Sequence, residues 1–266
     1  MKRPLSLLIL SIFLLGYQVV FAETKKIQDN SFLIEEAYNQ EPGVIQHVQN
    51  FMYMKDGRWA YVFTQEWPVP GRAHQLSYTI PVLHAKEDGA ETGLGDVMLN
   101  YRYQLVLKDA VAVAPRLSVL FPTGNSNKGL GRGAVSVLAL IPLSVELSDK
   151  WVTHWNIGTV ITPQAKGLTS ARANTYGYLF GASVIWLALE NFNFLLETLW
   201  TSDQDIEADG SRTRQNSLLI NPGFRCAANF KSGLQIVPGI SAPIGVGPSK
   251  GQYGVFFYLS FEHPLF

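Results

Sequence analysis

About twelve segments of roughly ten residues, each bounded by turn chemistry, alternate apolar and polar side chains along this chain. A period of two is the signature of an extended strand with two unlike faces, and it leaves little room for helices. "GLGDVMLNYRYQL", residues 93–105, is typical. Val97, Leu99, Tyr101, Tyr103 and Leu105 share one face, and Asp96, Met98, Asn100, Arg102 and Gln104 share the other. The alternation predicts strands near 43–54, 59–67, 73–83, 94–106, 111–121, 133–146, 151–162, 174–188, 191–201, 214–228, 233–242 and 252–263.

Which face meets water decides the architecture. In a soluble sandwich the apolar face goes to the core and Arg102 to bulk solvent. In a membrane barrel the apolar face meets acyl chains and the charged face lines the lumen, because a basic side chain at mid-membrane costs about 2–4 kcal/mol. One strand fits either. The others favour the barrel. Trp59, Tyr61, Phe63 and Trp67 share a face, as do Trp151 and Trp155, with aromatics placed near strand ends as in interfacial girdles. Charged residues make up 16% of the chain, against about 25% in soluble domains. Long apolar strands with open edges would aggregate, and closure removes the edges. Connection lengths alternate too. "LKDA", "LSDK", "LENF" and "NFKSG" are tight. "HAKEDGAET", "PTGNSNKGLGRG", "PQAKGLTSAR", "SDQDIEADGSR" and "PIGVGPSKG" are longer and polar, and all fall on one side of the sheet. This is the rhythm of an outer-membrane barrel, with periplasmic turns and external loops. "KDGR" at 55–58 is the exception, short yet on the outer side. The expected fold is all-β: a transmembrane antiparallel β-barrel of about twelve strands in the outer membrane of a Gram-negative bacterium.

The ends carry addresses. Lys2 and Arg3, the apolar run Leu5 to Val20, and Val20-Phe21-Ala22 read as a secretory signal peptide cleaved after Ala22; a retained anchor helix is the alternative. No Cys follows that cleavage point, so a lipid-anchored N-terminus is not expected. The single Cys226 cannot staple the chain to itself. No later apolar run approaches the ~20 residues of a membrane helix. With 21 basic and 21 acidic residues, no nucleic-acid partner is expected. "YGVFFYLSFEHPLF", ending at Phe266, is similar to the C-terminal signal read by the barrel-assembly machinery, although Phe266 is out of phase with Phe257 and Phe261. The expected organisation is 1–22 signal peptide, 23–42 periplasmic lead-in or plug, and 43–266 barrel.

Gly93, Gly95 and Asp96, then Pro122, Thr123 and Gly124 followed by Lys128, Gly129, Leu130 and Gly131, then Trp151, His154 and Asn156, resemble motifs of the outer-membrane, transporter-like family labelled MetA-pathway of phenol degradation. The likeness covers about residues 90 to 266. It implies a barrel that passes small hydrophobic or aromatic compounds.

The lumen face holds the candidate site: Glu66, Asp96, Asn100, Arg102, Arg116, His154, Asn156, Glu197 and Arg225, with Gln104 and Glu146. Both signs are present. They read either as a polar path setting selectivity or as a network of mutual pairs sealing a narrow barrel. His154 with a nearby serine (118, 136, 144 or 183) suggests a lipid-modifying enzyme, but no nucleophile motif supports it and no catalytic residue is assigned. Residues 205–216 imitate a calcium loop at Asp205, Glu207, Asp209 and Gly210, yet Asn216 stands where a bidentate Glu belongs. No metal or cofactor is expected. "FPTGNSNKGLGRG" is not a phosphate loop and reads as a flexible external loop or lid. "SFLIEEAYNQ" predicts a short helix capped by Asn30 or Ser31, with Glu35 and Glu36 in its first turn. The expected partners are outer-membrane lipids and lipopolysaccharide, the assembly machinery and a small-molecule solute. The function expected is passive passage of that solute, with a sealed structural barrel as the alternative.

Overall fold

The computed structural model describes residues 31–86, 91–169 and 171–265. Twelve antiparallel strands form one closed sheet. They are β1 (Val44–Met54), β2 (Trp59–Pro68), β3 (His74–Ala85), β4 (Glu91–Leu94, Val97–Tyr103 and Val106–Lys108), β5 (Val111–Val113 and Arg116–Phe121), β6 (Ser136–Ser148), β7 (Trp151–Lys166), β8 (Arg172–Leu189), β9 (Phe192–Ile206), β10 (Arg212–Cys226 and Ala228–Asn229), β11 (Gln235–Ser241 and Ile244–Gly245) and β12 (Gly254–Pro264). Each strand pairs with the next in sequence. β12 closes on β1, from Val44 opposite Pro264 to Met54 opposite Gly254. Closure leaves no unpaired edge, the condition for crossing a bilayer with strands.

The two faces of every strand resolve as the alternation requires. Leu99, Tyr101 and Tyr103 lie on the outer wall, about 40–48% exposed, while Asn100 and Arg102 are 1% and 3% exposed inside. Trp155, Ile157, Phe180, Phe194 and Leu196 continue the apolar wall. An exterior this apolar with an interior this polar is a membrane-spanning barrel, not a soluble one. At the tight-turn end, stacked rings of Trp151, Trp186 and Phe194, with Phe192 against Phe224, build the interfacial girdle.

Three expectations need correction. The strands β7, β8 and β9 contain 16, 18 and 15 residues and the first part of β10 contains 15, and they run through about half of "PQAKGLTSAR" and "SDQDIEADGSR", leaving only 167–171 and 207–211 as connections. Since about 9–11 residues cross a membrane, this wall stands well above its neighbours. Above the bilayer both faces of a hairpin are wet, so the alternation that reveals a strand is lost there while its hydrogen bonds persist. The second correction concerns 31–40, which forms bends rather than a helix. Its backbone amides are taken by side chains of the wall, so the i to i−4 bonds of a helix never form. The third concerns "FPTGNSNKGLGRG". It folds inward around a 3₁₀ turn, Ser126–Lys128, capped by the Asn125 side chain and closed by Gly129 in the left-handed region at φ 67°. Residues 1–22, read above as a signal peptide, and Asn30 and Phe266 lie outside the described residues.

Candidate functional site

The lumen is divided into two storeys, each occupied by the chain itself. The lower storey, at the tight-turn end, holds residues 31–42. This segment descends through the lumen and turns into β1. Glu197 on β9 is completely buried. Its Oε1 accepts the backbone N–H groups of Phe32, Leu33 and Ile34 at 2.8, 2.9 and 3.1 Å, and its Oε2 accepts Asn221 Nδ2 at 2.6 Å. One carboxylate therefore satisfies three successive amides that no secondary structure would satisfy.

Other inward side chains treat the segment the same way. Asn156 accepts Glu35 N–H at 2.8 Å and donates to Glu35 O at 2.8 Å. Ser144 Oγ accepts Ala37 N–H at 2.8 Å and lies 2.7 Å from His154 Nδ1. Gln104 accepts Asn39 N–H and donates to Ala37 O. Gln75 accepts Gln40 N–H. Arg102 donates to Asn39 Oδ1, to Glu36 O and to Tyr38 O at 3.0, 3.2 and 2.7 Å. Its Nη2 also stands 3.8 Å from Glu66, which accepts Gln75 Nε2 at 2.6 Å. Arg116 pairs with Glu35 at 2.7 Å and reaches Asn100 Oδ1.

Apolar knobs complete the seat. The Phe32 ring lies in a socket of Val48, Ile185, Leu195, Val237, Phe256 and Tyr258, all pointing into the barrel. Gly223 and Gly239 make the space: a Cβ on either would come within 2.6 Å or less of the ring. Gly181 does the same for Ile34. Arg225 is buried beside this socket, its Cβ flanking Gly239.

The upper storey is narrowed by residues 122–133. Asp96 on the lumen side of β4 accepts Gly124 N–H at 3.0 Å and Arg132 N–H at 2.8 Å. Thr123 Oγ1 donates to Gly95 O and accepts Val97 N–H, and Lys128 pairs with Glu91 at 2.9 Å. A Cβ on Gly131 would collide with the Asp96 carboxylate. The glycine-Asp start of β4 and the glycine-rich loop, two separate motifs in the sequence, are thus the halves of one latch. Two cavities flank its tip, Gly129 lining both. One of about 610 Å³ is lined by Asp96, Arg132, Lys166, Asp203, Asp205 and Glu207. The other, of about 560 Å³, is more apolar, with Met52, Met54, Leu83 and Leu219 among its lining.

All nine candidate residues face the lumen. Eight gather in the lower storey; Asp96 stands apart as the anchor of the loop. Gln75, Ser144, Ser183 and Asn221 belong to the same site but were not singled out as lumen polar groups. Each is an inward position of a recognisable strand, so strand phase was the signal that could have found them. The segment 31–40 itself carries no periodicity, and only its partners reveal its place. The His154–Ser144 pair is real, but Ser144 Oγ is occupied by Ala37 N–H and the pair is buried beneath Tyr38. Residues 205–216 form a hairpin end in which Glu207 Oε1 accepts Thr213 Oγ1–H.

Solved structures share this architecture. The COG4313 outer membrane channel from Pseudomonas putida F1 superposes with a TM-score of 0.61 at 15% identity, over 85% of this chain and 97% of that one. The NanC porin gives 0.54 at 11% identity, over 82% and 100%, and the KdgM porin 0.50 at 8%, over 83% and 98%. These identities speak to fold alone. No protein-family model matches the sequence, and no curated protein matches it. The apolar wall and the closed sheet of this fold place the chain in the Gram-negative outer membrane.

Proposed function

We propose that this barrel is a channel for small molecules whose resting lumen is closed by its own residues 31–42. One observation carries the reading. Inward side chains of five strands, Glu197, Asn156, Ser144, Gln75 and Arg102, each hydrogen-bond the main chain of a segment that has no secondary structure of its own, beside the bonds some of them make to one another. Side chain-to-backbone bonds exchange with water at a net ~0.5–1.5 kcal/mol each, so such a plug is removable while the barrel stays intact.

The solute class is read from the apolar parts. The Phe32 socket and the cavity of Met52, Met54, Leu83 and Leu219 suit a small hydrophobic or aromatic body. This agrees with what the resemblance to the phenol-degradation family implies. No nucleophile, metal or cofactor is needed for passive passage.

The test is conductance in planar bilayers. The intact chain is expected to show rare openings, and a chain lacking residues 31–40 frequent ones. Equal and negligible conductance of both would sink the channel reading and leave the sealed structural barrel.

A further inference from the structure

We infer that Arg212, Arg214 and Arg172 form a phosphate-binding site on the outside of the barrel for the phosphorylated glycolipid of the outer leaflet. The three are exposed at the external end of the tall wall. Arg212 is opposite Ile206 and Arg214 opposite Gln204 on β9, while Ser202 lies opposite Tyr178 on β8. The Arg214 guanidinium sits over the Tyr178 ring at 5.3 Å and donates Nη1 to Ser202 Oγ at 2.9 Å. Arg212 donates Nη1 to Asn174 O at 3.2 Å, and Arg172 donates Nη1 to Gln164 O at 3.0 Å.

Each guanidinium is therefore anchored on neutral oxygens through one nitrogen, with the rest of its fork of five N–H donors left over. None makes an ion pair with a carboxylate among the described residues. Of the acids in the same hairpin, strand phase sends Asp203 and Asp205 inward, and Asp209 lies at the turn, where it accepts Ser211 N–H. Asp203 is paired with Arg132, and both Asp203 and Asp205 line the upper cavity. Along the paired strands the period of two thus sends Asp203 and Asp205 to the lumen and Arg212 and Arg214 to the outer face.

What lies beneath the arginines defines the ligand. Tyr176, Tyr178 and Phe180 continue down the same face, 38–47% exposed. An aromatic, apolar surface topped by unspent guanidinium groups fits an amphiphile with acyl chains below and phosphate above. Free phosphate would have no use for the apolar part. A zwitterionic phospholipid would leave the excess positive charge unmatched. Lipid A, with its acyl chains and phosphates, meets both demands.

The experiment titrates the purified full chain in detergent with lipid A and with dephosphorylated lipid A, followed by native mass spectrometry. The wild type is expected to prefer the phosphorylated form at least ten-fold. The double variant Arg212→Ala/Arg214→Ala is expected to lose most of that preference. Arg212→Lys/Arg214→Lys should keep part of it, since charge remains and the planar fork does not. Equal binding of the two lipids by the wild type overturns the proposal without reference to any variant. So does a preference that survives in the double alanine variant, or binding of phosphatidylglycerol as tight as that of lipid A. Heat-modifiability on gels checks that each variant is folded.

Discussion

Replacing Glu197 should open the barrel. Its Oε1 accepts three backbone N–H bonds from Phe32, Leu33 and Ile34, and its other oxygen holds Asn221. Hydrogen bonds to a charged group are worth about 1.5–3 kcal/mol each, and simple addition would overshoot because the three amides share one acceptor and water refills the site. A loss of about 3–4 kcal/mol in the seating of the segment is the working figure for Glu197→Ala. At ~1.4 kcal/mol per decade this moves the closed-to-open equilibrium by roughly two to three orders of magnitude. Glu197→Gln keeps an acceptor and forfeits the charge, so about 1–2 kcal/mol and one decade are expected. Single-channel recording reads the open fraction directly. A second readout is maleimide labelling of Leu33→Cys in a Cys226→Ser background, which should accelerate by the same factor. If Glu197→Ala is folded, yet neither open fraction nor labelling rises, the segment is not held by this carboxylate and the removable-plug account is wrong.

Gly239→Val should expel the Phe32 ring, since even a Cβ there lies 2.5 Å from it; open fraction is expected to rise while the melting of the barrel wall, followed by heat-modifiability, stays put. Arg102→Ala removes the donor shared by Asn39, Glu36 O and Tyr38 O and takes one positive charge from the lumen beside Glu66; reversal-potential measurements should show a shift toward cations, and an unchanged ratio would remove Arg102 from the solute path. Asp96→Ala frees the Gly124 and Arg132 amides together, and limited proteolysis should then cut within 124–132, a stretch expected to resist in the wild type. At the β1–β2 turn, the hydrogen bond from the Arg58 side chain, ahead of lesser contributions, holds the Asp56 carboxyl below its ordinary value. That stabilisation is present above the unfolded value and lost as pH falls through the folded one. Asp56→Asn should therefore cost well under 1 kcal/mol at neutral pH, an exposed pair being worth ~0–1 kcal/mol, and nothing once pH has fallen below the folded value; acid titration of the two proteins checks it.

Strand phase made much of this molecule legible in advance. Arg102 and Tyr101 are neighbours in the chain, yet a period of two sends one to the lumen and the other to lipid, and no tertiary information is needed to say so. The same reasoning put Glu66, Asn100, Asn156 and Glu197 inside. It could not say what those groups bind. Mixed charge on one face is compatible with mutual pairing or with an open path, and the actual partner, the backbone of 31–40, offers no side-chain pattern to read. Phe32 looked like the start of a helix because local propensity was the sole available signal; the socket that claims it is assembled from five strands and two glycines far away in sequence. The loop 122–133 looked mobile for a related reason. Its glycines are as consistent with freedom as with close approach to Asp96, and only the distance between the two motifs separates these meanings.

What the sequence determined alone was what adjacent residues and connection lengths set: class, an approximate strand count, which face meets lipid, and which end carries the tight turns. These follow from hydrophobic sorting of adjacent residues, a local property. What the tertiary structure decided was the content of the lumen. Closing the sheet brings β1, β6, β9 and β12 around one axis, and hydrogen-bond donors and acceptors meeting across that axis are chosen by three-dimensional proximity, to which sequence separation gives no guide.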